Sequence, residues 1–172
     1  MNTGQSLFSI GALLLLSLTV LRVNNNILLT DEVLYDSKFG IIANSIATSI
    51  IEKATTKFFD ENTATGPVPN TLALTLNLRT ESGDEINPDT FDDFDDFNTY
   101  SSKDTFFTNL VFSYRCEVCY VNTSNYNLDI PSTVRTWHKK LTVFVTWDQN
   151  GKQTGIAADT IKQSVIYSYW FF

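Results

Sequence analysis

The chain has 172 residues, of which 43% are hydrophobic, 18% charged and 13% aromatic, and its formal net charge is −7. That length suits one domain with an appendage, and the aromatic content is too high for an intrinsically disordered chain. The 12 basic residues are outnumbered by 19 acidic ones, so no nucleic-acid partner is expected. Two cysteines and one histidine are too few for a structural zinc site, which usually takes four such ligands.

The N-terminal segment, residues 7–23, is apolar and carries no charge before Arg22. As a helix, the uncharged residues 1–21 would span roughly 31 Å, close to the thickness of a bilayer core. Three interpretations compete: a cleaved secretory signal, which would need basic residues ahead of its apolar part, a simple membrane anchor, or a helix that assembles with other helices. The side chains that would make the assembly contacts are Leu7, Phe8, Ile10, Leu13, Leu14, Leu15, Leu16, Leu18, Val20 and Leu21.

Apolar residues continue beyond residue 26 in steps of three and four, the spacing of one helical stripe. The sequence therefore predicts one long helix from near the N-terminus to about Asp60, weakened at Asn24, Asn25 and Asn26. Such a helix would be roughly 80 Å long, more than a protein of this size needs for its own core. Its front half must then be covered by a bilayer or by sister helices. The predicted domains are this helix, residues 1–60, and a β-sheet head, residues 61–172.

The remainder of the chain predicts an antiparallel sheet. Gly66, Pro67 and Pro69 oppose continuation of the helix. Strands are predicted at residues 72–78, 106–122, 141–147 and 161–172, which either alternate apolar with polar residues or are rich in β-branched and aromatic ones. Turns are expected at residues 81–84 and 148–151. The predicted fold class is α+β, with the rear half of a long N-terminal helix packed on a C-terminal antiparallel sheet.

An acidic and aromatic segment, residues 91–98, admits two interpretations. Phe91, Phe94 and Phe97 recur at intervals of three, which indicates a short helical turn that docks its phenyl rings and leaves the aspartates in solvent. Alternatively the carboxylates bind Ca²⁺, which takes six to eight oxygen ligands. The calcium ligands would be Asp92, Asp93, Asp95 and Asp96.

Cys116 and Cys119 have the spacing of a redox pair but lie in a predicted strand rather than at a helix start. Three states are open: a local structural disulfide, which we favour and which would need a bulge, two buried free thiols, or a link between subunits. Asn122 begins a glycosylation sequon. The sole histidine, His138, has no nucleophile or acid nearby in the sequence, so a structural role is expected.

A short leader ending in Gly4, an apolar helix, an amphipathic continuation and a C-terminal sheet together resemble the type IV pilin and pseudopilin superfamily. Residues 91–98 look like an aspartate-rich loop of some minor pilins, and residues 120–122 and 137–143 are similar to paired late strands of the family. The resemblance implies cleavage after Gly4, which would make Gln5 the first mature residue and put Ser9 where the family usually has Glu. It also implies that the helix melts at residues 24–26 during assembly.

The expected function is that of a non-enzymatic structural subunit of an extracellular pilus-like filament or pseudopilus. Its partners would be identical subunits and, before assembly, the inner membrane, and no cofactor is expected apart from the calcium considered above. All acidic residues lie at or after Asp31, which suits an uncharged shaft under an acidic head. The dense aromatic run at residues 167–172 would supply core packing and contacts between neighbouring heads. The alternative is a single-span membrane protein with an extracytoplasmic binding domain.

Overall fold

The structure, a computed structural model, describes residues 3–80, 87–107, 110–124, 127–149 and 160–170. It contains helix α1 (Thr3–Thr55), the short helix α2 (Glu61–Ala64) and 3-10 turns at Thr71–Ala73 and Asp95–Phe97. Four strands follow, β1 (Ser101–Phe107), β2 (Leu110–Tyr120), β3 (His138–Gln149) and β4 (Thr160–Ser168). This confirms the predicted α+β class. The chain divides into two compact units, Met1–Ile41 and Ile42–Phe172, so the boundary defined by packing falls within α1.

The first unit is helical, as the apolar N-terminal segment predicts. Asn24, Asn25 and Asn26 lie within α1 in helical conformation, and melting during assembly stays a prediction. The hydroxyls of Ser9 and Thr19 donate to the carbonyls of the residues four positions earlier, at 3.0 and 2.8 Å. These bonds satisfy the hydroxyls inside the helix, so neither needs water.

The second unit begins with the rear of α1, which packs on the sheet through a stripe of small residues. Ala43, Ala47 and Ala54 have no exposed surface, and their spacing of four and seven places them on one helical face. The Thr48 hydroxyl donates to the Gln163 side chain of β4 at 3.3 Å. The predicted packing of the rear helix on the sheet is therefore present.

The sheet has the order β1-β2-β3-β4, and each neighbouring pair is antiparallel. β2 and β3 pair in one unbroken register from Leu110 opposite Gln149 to Tyr120 opposite Lys139. Inward side chains alternate along both strands, and these buried residues are Phe112, Cys116, Val118, Leu141, Val143 and Val145. The predicted strands at residues 106–122 and 141–147 are thus confirmed over the cores of β2 and β3.

The strand predicted at residues 72–78 is wrong. Asn70 caps a 3-10 turn by accepting the Leu72 N–H at 3.0 Å, and the alternating leucines do not share a buried face. Leu74 is 2% exposed, whereas Leu72 is 74% and Leu76 is 67% exposed. The first strand of the sheet is instead β1, whose polar sequence SSKDTFF gives no strand signal.

The last predicted strand is confirmed over β4, which ends at Ser168. Tyr169 and Trp170 follow the strand outside the ladder. The predicted turn at residues 81–84 lies outside the described residues, and so do Asn150 and Gly151 of the predicted hairpin turn and the final two phenylalanines.

Candidate functional site

The first candidate site is the apolar surface of α1 within the first unit. The side chains predicted to mediate helix assembly, Leu7 to Leu21 as named above, are each between 57% and 85% exposed. Successive residues lie about 100° apart around a helix, so the four leucines at positions 13–16 cover its circumference. A helix that is apolar on all sides is normally buried in a protein core or in a membrane.

Apolar exposure continues beyond Arg22, where a bilayer-length segment would end. Leu28, Val33 and Leu34 are 61–63% exposed, although Asp31 and nearby polar residues show that this part of α1 is amphipathic. Within the described residues, α1 is the one helix that is long and apolar enough to cross a membrane by length and composition. Gly4 and Gln5 lie in its exposed first turns, and cleavage between them stays a prediction.

The second candidate site is a buried charge cluster centred on Lys139 of β3 in the second unit, Ile42–Phe172, which is called the head from here on. The Lys139 ammonium has no exposed surface and donates to the Phe59 carbonyl at 2.7 Å and to the Asp60 carboxylate at 2.9 Å. It also donates to the carboxyl group of Asp95, which is equally buried. The Phe59 ring centroid lies 4.7 Å from the Lys139 nitrogen and the Tyr120 ring centroid 5.5 Å. The cluster is therefore a lysine held between two acids inside an aromatic shell.

Asp60 owes its position to the end of the long helix. It is the N-cap of α2, where its side chain accepts the Asn62 N–H and its own N–H donates to the Thr63 hydroxyl. Thr75 adds a backbone N–H at 3.0 Å and a hydroxyl at 3.0 Å to the same carboxylate. Asp60 is thus a buried anion whose lone pairs are met by several protein donors, as a stable buried charge requires.

The neighbouring aspartates are held by a tight turn of backbone. One oxygen of Asp93 accepts the N–H groups of Asp95 and Asp96, and one oxygen of Asp96 accepts those of Asp92 and Asp93. Asp93, Asp95 and Asp96 are all buried, and only Asp92 of the four is exposed. The expectation that the aspartates face solvent is therefore wrong for three of them.

The docking of the phenyl rings, by contrast, is confirmed. Phe91, Phe94 and Phe97 are each at most 3% exposed, and the rings of Phe91 and Phe97 meet edge to face with centroids 4.9 Å apart. The backbone turn that buries the rings also carries the aspartates inward. Burial of the carboxylates is thus the consequence of ring docking, and Lys139 supplies a compensating charge.

The predicted calcium ligands do not form an evident metal centre. Among the described residues, no group of three or more histidine, cysteine, aspartate or glutamate side chains is arranged so that it could hold a metal ion. The turn's carboxylates face their own backbone N–H groups and Lys139 instead. Calcium binding by these residues stays a prediction without support from their arrangement.

The carboxyl groups of this cluster differ in the direction of their pKa shifts. Burial raises the pKa of Asp60, but the charge and hydrogen bond of Lys139, with the Thr75 and Asn62 donors, outweigh it, and the net pKa is lowered. Burial raises the pKa of Asp95 to about 8 despite Lys139, and the charge of Asp93 adds to the rise. Burial likewise raises the pKa of Asp93. One ammonium cannot neutralise three buried carboxylates, so Asp60 stays ionised and a proton resides on the Asp93–Asp95 pair at neutral pH.

The structure contradicts the favoured local disulfide between Cys116 and Cys119, because both are free. β2 keeps an unbroken register with β3 across them, so the two side chains point to opposite faces and no bulge brings them together. Burial raises the pKa of the Cys116 thiol to about 12, which leaves it protonated and unreactive at neutral pH. The second of the three states, two buried free thiols, holds for Cys116, whereas the free thiol of Cys119 is only half-buried.

Asn122 and His138 lie in the surroundings that the sequence predicts for them. Asn122 follows β2 at an exposed position, and its side chain accepts the Ser124 N–H at 2.9 Å. Its glycosylation stays a prediction. The His138 imidazole Nδ1 lies 2.7 Å from the Ser168 hydroxyl, and these residues are cross-strand partners on β3 and β4. The sheet register accounts for this contact.

The C-terminal aromatic run lines one side of a cleft in the head. The cleft has a volume of about 730 Å³, and its walls include Lys57, Phe58, Tyr167, Tyr169 and Trp170. The first two follow α1, and the others lie at the end of β4 or after it. Tyr167 and Tyr169 are half-buried against Phe59, whereas Trp170 is 73% exposed. The division into core packing and outward surface expected for this run is present over its described part.

Comparisons with protein-family models, with curated proteins and with solved structures find no match for the chain. The α+β class is defined by the structure alone.

Sequence reasoning missed Asp60 and Lys139 as the centre of the head. The strand pattern did contain a signal, because Lys139 lies an even number of residues from the buried Leu141, Val143 and Val145 and so shares their face of β3. A lysine at an inward position of an alternating strand must find a buried acid. No comparable signal marks Asp60, whose role depends on the turn that follows α1.

Proposed function

We propose that the protein is a non-enzymatic subunit of a pilus-like extracellular filament or pseudopilus, and that it polymerises through α1. Its precursor is held in the inner membrane by the same helix. The observation that carries this proposal is the exposure of an all-round apolar helix, with each assembly side chain between 57% and 85% exposed. Apolar surface of this extent requires a partner outside the monomer.

The part of α1 after Arg22 favours assembly over simple anchoring. A bilayer core is about 30 Å thick and takes roughly 20 helical residues. The 20 helical residues from Thr3 to Arg22 already meet that need, yet Leu28, Val33 and Leu34 remain more than 60% exposed. An anchor gains nothing from apolar side chains outside the membrane. A bundle of sister helices covers both parts of the helix.

A single-span anchored protein with a binding head is the second candidate. The length and composition of α1 favour it as much as they favour a filament precursor, and the cleft beside Trp170 would be its binding surface. The two candidates differ in whether the apolar residues of α1 after Arg22 contact other helices. Substitutions at these residues therefore distinguish the candidates.

The test compares the wild-type chain with the Leu28→Gln/Leu34→Gln variant in the source cells or in a host that carries a filament assembly system. Glutamine retains helix propensity while removing apolar surface. The wild type is expected in sheared, pelleted surface fibres visible by negative-stain microscopy. The variant is expected to remain in the membrane fraction and to yield no fibres.

A matched control is Leu72→Gln/Leu76→Gln, which makes the same change at two exposed leucines of the head. It should assemble as the wild type does. Wild-type protein that stays with membranes until detergent is added, and never enters fibres, would favour the anchored protein and overturn the filament proposal.

A further inference from the structure

We propose that Lys139 and Asp95 condense within the folded head to form an intramolecular amide bond between the lysine Nζ and the aspartate Cγ, with Asp60 as the proton carrier. The bond would tie β3 to the turn Asp95–Phe97. This inference concerns the second unit alone and does not depend on the filament proposal.

The reacting groups are already in contact. The Lys139 nitrogen donates to the Asp95 carboxyl group, and both side chains are fully buried. Fixed contact between an amine and a carboxyl group replaces a bimolecular encounter, an advantage measured in model reactions as an effective molarity on the order of 10⁵–10⁸ M. The other lysine–aspartate pairs among the described residues differ, because their aspartates, Asp89 and Asp129, are 71% and 69% exposed.

The two carboxyl groups at Lys139 suit different roles. Asp60 accepts hydrogen bonds from Thr75 and Asn62 as well as from Lys139, which stabilises its ionised form. Asp95 lacks such a set, and its second oxygen is buried without a hydrogen-bond donor among the described residues. Burial raises the pKa of Asp95 to about 8, so the proton shared by the Asp93–Asp95 pair at pH 7 can reside on Asp95 and make it a neutral acid. A neutral carboxylic acid is an electrophile toward an amine, whereas a carboxylate is not.

Water is excluded from the cluster by aromatic side chains. The Phe59 and Tyr120 rings lie within 5.5 Å of the Lys139 nitrogen, and Phe94 and Phe97 are fully buried nearby in the chain. Condensation releases one water molecule, so a site that water does not re-enter favours the amide over its hydrolysis. Burial also disfavours the charged groups that the reaction consumes.

The step balances without an outside reagent. The Lys139 ammonium passes one proton to Asp60, 2.9 Å away, and the free amine attacks Cγ of protonated Asp95 to form the C–N bond. Asp60 returns that proton to the departing hydroxyl, the C–O bond breaks and water leaves. The nitrogen then gives one of its two remaining protons to Asp60. The products are a neutral amide, one water and neutral Asp60, and nothing is oxidised or reduced.

Mass spectrometry of the full chain, purified in detergent, tests the proposal directly. The intact mass should be lower by one water molecule than the mass calculated for the N-terminus found by peptide sequencing. Proteolysis should give a branched peptide that joins Lys139 to Asp95, with no tryptic cleavage after Lys139. A folded wild-type chain with the full calculated mass, or a link between other residues, would overturn the proposal.

Variants separate the roles of the three residues. Lys139→Arg keeps the positive charge but should restore the full mass, and Asp60→Asn should leave the bond unformed although both reacting groups remain. Lys140→Arg is the matched control, because Lys140 is the adjacent lysine and pairs with the exposed Asp129. It should retain the missing water. An Asp60→Asn chain that still lacks one water would contradict the role of Asp60.

Discussion

The two units of this protein depart from the usual distribution of side chains in opposite ways. In the first unit, apolar side chains such as Leu15 are exposed to the extent of 68%. In the second, Lys139, Asp60 and Asp95 are charged or ionisable and fully buried. The two kinds of side chain need different partners. Exposed apolar surface requires a partner outside the chain, whereas a buried charge requires a counter-charge inside it.

The largest expected effect comes from placing charge in the exposed apolar helix. In Leu14→Asp/Leu15→Asp, each change should disfavour membrane insertion by about 3 kcal/mol, so the total is about 6 kcal/mol. The variant should move from the membrane pellet to the supernatant after alkaline extraction. The matched Leu72→Asp/Leu76→Asp change, at exposed leucines of the head, should leave the chain in the pellet. Equal retention of both variants would contradict a role for residues 13–16 in the membrane.

The next effect comes from removing the buried Lys139 side chain. Lys139→Ala leaves Asp60 and Asp95 without their common partner and should lower the free energy of unfolding by about 3–5 kcal/mol. Lys140→Ala should cost less than Lys139→Ala, because Lys140 is also buried but its partner Asp129 is 69% exposed, so no buried carboxylate is left unpaired. Denaturant titration followed by tryptophan fluorescence measures both, since all three tryptophans, Trp137, Trp147 and Trp170, lie in the head. Similar losses for the two lysines would show that burial of the acid partner does not distinguish them.

A smaller effect should separate two leucines that a regular strand would place together. Leu74→Ala removes a side chain that is 2% exposed and should cost about 2–4 kcal/mol of unfolding free energy. Leu76→Ala, at a side chain that is 67% exposed, should cost less than about 0.5 kcal/mol. The same fluorescence titration compares them. Equal losses of unfolding free energy would indicate that the two leucines are equally buried, as the alternation predicts for a regular strand.

The smallest expected effect concerns reactivity rather than stability. With a pKa of about 12, the Cys116 thiol is ionised to about 10⁻⁴ at pH 8, so native alkylation should label the half-buried Cys119 at least about tenfold faster. Peptide mass spectrometry after timed iodoacetamide treatment measures the ratio. Both thiols should label in denaturant. Failure of both to label there without a reductant would reveal an oxidised pair.

The long helix, the sheet and the inward faces of its middle strands are predictable from the sequence, because periodicity reports burial directly. The failures occur where a local contact overrides the pattern. Asn70 turns the chain at Leu72, so alternation at residues 72–78 does not yield a strand. β1 pairs through its backbone with β2, so its polar side chains give no signal.

The candidate sites were predictable to different degrees. The apolar surface of α1 is evident from composition, because folding of the chain does not cover it. The charge cluster is not evident, because it joins residues far apart in sequence and because aspartates in a polar-looking segment are drawn inward by Phe94 and Phe97. The one sequence signal is that Lys139 alternates in step with the buried apolar residues of β3. It predicts that a buried acid exists but does not identify that acid.

The separation between Asp60 and Lys139, 79 residues along the chain, bears on the order of folding. Closing so long a loop is entropically costly, so contacts of this range tend to form late. If β3 docks late, Asp60 and Asp95 would keep their hydration until then and incur no desolvation cost. Docking of Lys139 would then expel water and bury all three groups in one step. The cluster would thus form late in the folding of the head.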